Sequence, residues 1–262
     1  MKRIALFLLA LNAACSSPAT QSFPQGRIVD LSYPYDEQTI FWPTAEPFRL
    51  ERVADGVTDK GYYYAANNFC MAEHGGTHID APIHFHRDGK TVDRIPLEQL
   101  MGEGVVIDVS DKCAGNPDYQ IAIDDFEAWE KQHGRLPDGT IVFLRTGYGK
   151  RWPDRRSYMG TDERGAEAVA KLHFPGLAPE AARWLVANRS IKAVGLDTPS
   201  IDYGQSQLFE THRTLFERNV PAFENLANLD QLPTKGFIVV ALPIKIAGGS
   251  GGPLRAIAIV PK

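Results

Sequence analysis

Cysteine is scarce in this chain, with three residues among 262 and no pair in C-x-x-C spacing. A thiolate metal site or a dense disulfide framework is therefore not expected. If the chain is cleaved before Cys15 and that residue is lipidated, the two other cysteines are Cys70 and Cys113. They would be able to pair in an oxidising compartment, but the sequence favours two small buried apolar residues.

Excess positive charge is also missing. The chain has 28 lysine and arginine residues against 32 acidic ones, a formal charge of -4, and no basic stripe. Nucleic acid is therefore not predicted as a partner. With 44% apolar and 10% aromatic residues, the composition is that of an ordinary globular protein with a sizeable core.

The first fifteen residues, MKRIALFLLALNAAC, differ from the rest of the chain. Lys2 and Arg3 precede the apolar run 4–11, which is too short to span a bilayer, and small residues lead to Cys15. Residues 1–14 are therefore predicted to be a signal peptide, followed by a polar linker over 15–25. The cysteine after NAA resembles the lipidation site of bacterial lipoproteins, although Asn12 departs from the usual branched apolar residue. We expect an exported protein, either periplasmic or anchored to the membrane through a lipidated Cys15.

Apolar runs and helical periodicity alternate along residues 26–262. Short runs rich in apolar and β-branched residues predict strands over 26–33, 104–110, 140–147, 191–198, 236–246 and 253–262. Helices are predicted over 123–134, with Asp124 or Asp125 as the N-cap, and over 178–189, with Pro179 in the first turn. The last two strands are separated by AGGSGG, which is interpreted as a flexible turn. Since no second linker divides the chain, we expect a single mixed α/β domain.

Three of the seven histidines fall within eleven positions, in HGGTHIDAPIHF over residues 74–85. A helix with two zinc-binding histidines, as in H-E-x-x-H, is disfavoured by the two glycines, by Pro82 and by the missing glutamate. In an extended chain, His78, Asp80 and His84 would share one face, and the glycines would let His74 approach it. Imidazoles and a carboxylate together suit zinc, manganese or a similar divalent ion.

The same stretch fits the signature H-x-G-T-H-x-D-x-P-x-H and so resembles the metal-dependent cyclase-like hydrolases, which include bacterial kynurenine formamidases and isatin hydrolases. Other blocks that look like this family are FWPTAEPF, FPGLAPEAARWLVANRSIKAVGLDTPSID, HRTLFERNVPAFENLANLDQLP and GGSGGPLRAIAIVP. Together they cover most of residues 28–262. The resemblance implies one α/β domain over 26–262, with a central β-sheet or barrel flanked by helices, and a homodimer.

The resemblance also implies a set of metal ligands. His74, His78 and Asp80 look like ligands of a first metal, whereas His212 and Glu224, twelve residues apart, look like a second-metal histidine and a glutamate shared between metals. By itself, His212 would be read as a solvated helix residue. Glu224 lies within an apolar run, where an unpaired carboxylate is costly. The expected cofactor is zinc or manganese, one or two ions per chain.

Two further residues look like parts of a catalytic site. His84 resembles the acid–base histidine of the formamidases, and Trp42 resembles the aromatic residue that packs against the substrate ring, although alone it would be read as core. The implied reaction is hydrolysis of an amide bond by metal-activated water. The substrate would be either an N-formyl aromatic amide, as in tryptophan catabolism, or a cyclic amide, as in isatin hydrolases. The alternative hypothesis is an exported metal-binding lipoprotein without catalytic activity.

Overall fold

The computed structural model describes residues 25–262. Its strands are β1 (Arg27–Asp30), β2 (Arg49–Val57), β3 (Tyr63–Cys70), β4 (His78–Asp80), β5 (Met101–Asp108), β6 (Gln120–Ile121), β7 (Thr140–Arg145), β8 (Gly176–Leu177), β9 (Ile191–Leu196), β10 (Ala222–Glu224), β11 (Lys235–Pro243) and β12 (Gly251–Val260). Its α-helices are α1 (Leu97–Leu100), α2 (Ser110–Gly115), α3 (Ile123–His133), α4 (Arg155–Met159), α5 (Ala166–Val169), α6 (Pro179–Asn188) and α7 (Glu210–Glu217).

Seven strands close into a barrel in the order β4, β12, β11, β5, β7, β9 and β10, and β10 pairs back onto β4. The strands β5, β7, β9 and β10 are parallel and the other pairings are antiparallel, so the barrel is mixed. The parallel strands are joined by the helices α2 to α7, because parallel neighbours need long crossover connections. The predicted single α/β domain with a central barrel and flanking helices is confirmed.

The parallel strands read as continuous apolar runs because both of their faces are buried. In β5, Val105 and Ile107 pack in the core under the helices, whereas Val106 packs in the core inside the barrel. The interior is narrow, and a Cβ on Gly104 would lie 2.2 Å from the ring of Phe237. Glycine at this position therefore makes room for an aromatic side chain inside the barrel.

Most predicted elements lie within a few residues of the observed ones, but two local predictions are wrong and one element was missed. The helix α3 begins at Ile123, so Asp125 lies in its first turn and accepts a hydrogen bond from the backbone N–H of Ala122 (2.8 Å) instead of being the N-cap. Pro179 does open α6, as predicted. Cys70 and Cys113 were both predicted to be buried, but only Cys113 is; Cys70 is exposed, and both are free thiols. The hairpin formed by β2 and β3 was not predicted.

The predicted signal peptide (1–14), the lipidated Cys15 and nearly all of the linker lie outside the described residues. Within residues 25–262, no helix combines the length and apolar character needed to cross a bilayer.

Candidate metal centre and active site

The histidine-rich stretch crosses the barrel wall as a short strand between two turns. Gly75 forms a bridge with Phe41, and a Cβ on Gly75 would lie 2.0 Å from the Phe41 ring. Gly76 has a φ of +56°, a left-handed conformation that glycine adopts at little cost. The strand β4 then places His78 and Asp80 on one face. The extended-chain prediction is wrong beyond this point, because residues 82–84 form a 3-10 turn that carries His84.

Two other elements bring the distant ligand candidates to this strand. β10 pairs antiparallel with β4, and Glu224 lies directly opposite His78 in the register. The helix α7 presents His212, whose Nε2 lies 3.0 Å from Oδ2 of Asp80 and 3.2 Å from Oε1 of Glu224. The barrel therefore joins residues that are more than a hundred positions apart in the sequence.

The five ligand candidates form two groups that share Asp80. His74, His78 and Asp80 make one triad, and Asp80, His212 and Glu224 make the other, with ligand atoms within 4.8 Å of one another in each. Oδ1 of Asp80 faces Nδ1 of His74 (2.6 Å) and Nε2 of His78 (3.1 Å). Asp80 thus has one oxygen facing each triad. Glu224, the shared carboxylate implied by the resemblance, also faces both, with Oε1 3.2 Å from Nε2 of His212 and Oε2 3.4 Å from Nε2 of His78.

Each of the three imidazoles has its second ring nitrogen engaged outside the cluster. The contacts are His74 Nε2 with Ser250 Oγ (2.9 Å), His78 Nδ1 with the carbonyl of Gly76 (3.0 Å), and His212 Nδ1 with Asp202 Oδ2 (2.5 Å). The hydroxyl of Ser250 donates to Glu73 (2.6 Å), so it must accept from His74. A carbonyl and a carboxylate can only accept, so the outer nitrogens of His78 and His212 are also donors. In their neutral forms, all three rings therefore aim a lone pair into the cluster.

This geometry fits a divalent cation. Neutral imidazole lone pairs and two buried carboxylates face one another, and such acceptors cannot satisfy each other without a cation or added protons. Nε2 of His78 is buried and makes no well-aligned hydrogen bond within residues 25–262, although Oδ1 of Asp80 lies 3.1 Å away. Burial lowers the pKa of His78 and of His212, but hydrogen bonds and the charges of neighbouring carboxylates outweigh it and leave both pKa values raised. Nitrogen and oxygen ligands of this kind suit zinc or manganese.

His84 lies beside the cluster without joining either triad. Its ring stacks on His74 with centroids 3.8 Å apart, and in the described part of the chain no group hydrogen-bonds to its imidazole. Burial lowers the pKa of His84 to about 4, although the charge of Asp80 opposes the shift. The imidazole is therefore neutral at pH 7.

A cavity of about 300 Å³ opens above the cluster. Its walls are largely apolar, and Trp42 contributes to them while its ring contacts Phe174 and Phe209 edge-on, at centroid distances of 6.3 and 6.5 Å. Such a volume is at the lower end for small-molecule sites, so it suits a small ligand. The structure thus places Trp42 at the same cavity as His84 and the ligand triads.

Sequence reasoning missed the residues that orient the histidines. Asp202 lies in the block GLDTPSID, and ten residues separate it from His212, but spacing alone could not reveal the contact. Ser250 belongs to the glycine-rich segment that was interpreted as a flexible turn. The segment does turn, at residues 247–248, but Ser250 also hydrogen-bonds to both His74 and Glu73, and a Cβ on Gly251 would lie 2.6 Å from the His74 ring. Asp197, which directly follows β9, accepts hydrogen bonds from the backbone N–H and the hydroxyl of Thr146.

Comparison with known proteins identifies the family. The chain matches the family model Cyclase ("Putative cyclase") over residues 29–203. It is 36% identical over 211 residues to an isatin hydrolase from Roseibium aggregatum, covering 77% of each chain. A kynurenine formamidase from Bacillus cytotoxicus is 27% identical over 232 residues, covering 87% of this chain and 95% of the relative. The solved structure of isatin hydrolase A from Ralstonia solanacearum has a TM-score of 0.80 at 36% identity, covering 89% and 92% of the two chains.

The chain therefore belongs to the cyclase family of metal-dependent hydrolases, and the resemblance predicted from the sequence is confirmed. Within that family it is a hydrolase of the class that acts on carbon–nitrogen bonds other than peptide bonds.

Proposed function

We propose that this protein hydrolyses an amide bond in a small aromatic molecule, using two divalent cations, zinc or manganese. The observation that carries the proposal is the pair of ligand triads sharing Asp80 at the floor of an apolar cavity. His74 and His78 complete the first triad, and His212 and Glu224 complete the second. Two buried carboxylates and three inward lone pairs are unfavourable together unless cations hold them.

His84 is the acid–base residue in this proposal. A bound divalent cation lowers the pKa of water and polarises a carbonyl oxygen. Because His84 is neutral, it accepts one proton from the attacking water while the new carbon–oxygen bond forms. It returns that proton to the leaving nitrogen as the carbon–nitrogen bond breaks. The histidine is regenerated, and one water molecule is consumed for each amide opened.

A cyclic amide fused to an aromatic ring is the substrate class we favour. The chain is 36% identical to an isatin hydrolase and 27% identical to a kynurenine formamidase. The apolar walls of the cavity, which include Trp42, suit an aromatic ring. N-formyl aromatic amides are the second candidate, because Glu224 completes a second triad, as expected from the two-metal formamidases.

The first experiment is to strip the purified protein of metal and assay it with zinc or manganese restored. Isatin-like cyclic amides, N-formyl aromatic amides and lactones are compared side by side. We expect no turnover without metal, recovery with about two equivalents, and the highest kcat/KM for a cyclic amide. Turnover that survives complete chelation would overturn the metal-dependent mechanism.

The second experiment separates catalysis from metal binding. His84→Ala should lower kcat by about 10²- to 10⁴-fold, the usual contribution of general acid–base catalysis, while the metal content stays unchanged. His86→Ala is the matched control, because His86 lies two residues further on and outside the cavity. Loss of metal from His84→Ala without any measurable reaction in the parent would favour the alternative of a metal-binding protein without activity, which the comparisons do not support.

We also propose that the protein is a homodimer that buries the hairpin β2–β3. Apolar side chains of this hairpin are exposed on both strands, for example Val57 on β2 (74% exposed) and Phe69 on β3 (58% exposed). A two-stranded hairpin without further packing is marginal in water. Basic and acidic side chains alternate along it, as in the pairs Arg49 with Glu46 and Arg52 with Asp55, so a second copy approaches without net repulsion.

Light scattering after gel filtration tests the dimer. Val57→Glu should shift the protein towards a folded monomer, because the charge would be buried in the interface. Leu97→Glu is the matched control, since Leu97 is 58% exposed and lies in α1, away from the hairpin. A parent protein that is monomeric at micromolar concentration, or a dimer unaffected by Val57→Glu, would contradict the proposal.

Export with lipid attachment at Cys15 remains a proposal based on the N-terminal residues alone. Cell fractionation and labelling with a radioactive fatty acid would test it, with Cys15→Ser as the unlabelled control. Label in both proteins would show that Cys15 is not the modified residue.

A further inference from the structure

Asp202 is a buried carboxylate that contacts both the backbone and the side chain of His212. Its Oδ2 lies 2.5 Å from Nδ1 of His212 and 3.1 Å from the backbone nitrogen of the same residue. Its Oδ1 accepts hydrogen bonds from the hydroxyl of Ser206 (2.9 Å) and from the backbone N–H of Thr211 (3.3 Å). The side chain of Asp202 is thus surrounded by donors and is itself fixed in place.

These contacts give Asp202 two effects on the same helix. It accepts two N–H groups in the first turn of α7, which would otherwise lack partners inside the helix. It also accepts Nδ1–H of His212, which fixes the ring orientation and leaves Nε2 directed at Asp80 and Glu224. A carboxylate that accepts a hydrogen bond from the second ring nitrogen of a ligating histidine fixes the tautomer and makes the histidine a stronger ligand.

The other triad is supported by different residues. His74 is oriented by Ser250, which in turn donates to Glu73, and neither of these residues contacts His212. Asp202 in turn makes no contact with His74 or His78 among the described residues. The two metal positions therefore share Asp80, but different residues orient the histidines of each position.

We propose that Asp202 is a positioning residue for the second metal position alone, acting through the ring of His212. The assignment rests on the proposed two-cation function. In this assignment Asp202 does not touch the substrate or the cation; it holds Nδ1 of His212, so that Nε2 on the other side of the ring faces the cation position. At the first metal position, Ser250 and Glu73 have the corresponding role, because they orient His74.

The variant Asp202→Asn tests the assignment, because asparagine keeps the size of the side chain and an acceptor oxygen for the N–H groups of α7 but removes the charge behind the His212 ring. Metal-stripped protein is titrated with cobalt or zinc by calorimetry, and the two binding steps are fitted separately. Asp202→Asn should weaken one step by about 10- to 100-fold and leave the other within about threefold. Ser250→Ala should weaken the opposite step, and Ser206→Ala, which leaves the contact with the ring intact, should change neither.

A second measurement does not depend on how many cations bind. In ¹⁵N-labelled wild-type protein, NMR should show a proton on Nδ1 of His212, and Asp202→Asn should lose or shift that resonance. A wild-type ring with its proton on Nε2 alone would overturn the assignment, even if the variant failed to fold. Equal weakening of both binding steps, or lower thermal stability with both affinities unchanged, would also overturn it, because Asp202 would then act only as a helix cap or a general support.

A different result would show that the proposed two-cation function is wrong. If wild-type protein binds one cation but still carries the proton on Nδ1 of His212, the two-cation function is wrong. The positioning of His212 by Asp202 then stands or falls on the effect of Asp202→Asn on that single affinity. An unchanged single affinity would reject it, and a loss of about 10- to 100-fold would support it.

Discussion

Metal should stabilise this protein more strongly as the pH rises through neutrality. In the metal-free protein the pKa values of His78 and His212 are raised: burial opposes the charge, but Asp80, Glu224 and, for His212, Asp202 outweigh it. A group whose pKa is raised on folding contributes stability that is fully present below its unfolded pKa, about 6.5 for histidine. That stability is lost as the pH rises through the folded pKa. The metal-free protein should therefore become less stable above about pH 6.5.

Cation binding has the opposite dependence on pH, because ligating imidazoles must be neutral. Each proton displaced makes binding about tenfold stronger per pH unit, which is about 1.4 kcal/mol. In a chain of 262 residues this corresponds to about 3–5 °C in Tm per pH unit for each displaced proton. The difference in Tm between metal-loaded and chelated protein should thus increase over the window in which His78 and His212 would otherwise hold their protons.

Differential scanning fluorimetry between pH 6 and pH 9 measures this difference directly, with a fixed concentration of free zinc or manganese against chelator. A difference that stays constant, or that shrinks as the pH rises, would refute the histidine-ligand account. His133→Gln is the matched control, because His133 ends α3 away from the metal centre and its removal should leave the slope unchanged.

Three other substitutions should separate packing, substrate binding and metal binding. Gly75→Ala places a carbon 2.0 Å from the buried Phe41 ring, so it should lower stability by about 1–3 kcal/mol in a denaturant titration, and an unchanged midpoint would contradict the close packing. Trp42→Ala should raise KM by about tenfold at constant metal content, since a ring–ring contact contributes about 0.5–1.5 kcal/mol beyond its buried area. Glu224→Gln should weaken one cation by at least about tenfold in a calorimetric titration, and two unchanged affinities would exclude Glu224 as a ligand.

The local patterns of the sequence were sufficient to predict five of the seven barrel strands and the cluster of His74, His78, Asp80 and His84. Trp42, His212 and Glu224 were assigned only through the family resemblance. β5, β7 and β9 are short apolar runs that are buried on both faces, and this produces a recognisable pattern without any tertiary information. His74, His78, Asp80 and His84 lie within eleven residues, so their clustering is visible in the chain itself. Two glycines and a proline in the same stretch excluded a helix, because they restrict or free the backbone wherever they occur.

Only the tertiary structure decided what lies around that stretch. Glu224 meets His78 through the antiparallel pairing of β10 with β4, which depends on how the barrel closes and not on any local preference. Asp202 and Ser250 look like ordinary loop residues until the fold places them behind His212 and His74. The exposed hairpin was missed because its strands bury neither face within the chain. Backbone propensity and periodicity act over a few residues, whereas pairing register and side-chain contacts between distant segments arise only when the barrel forms.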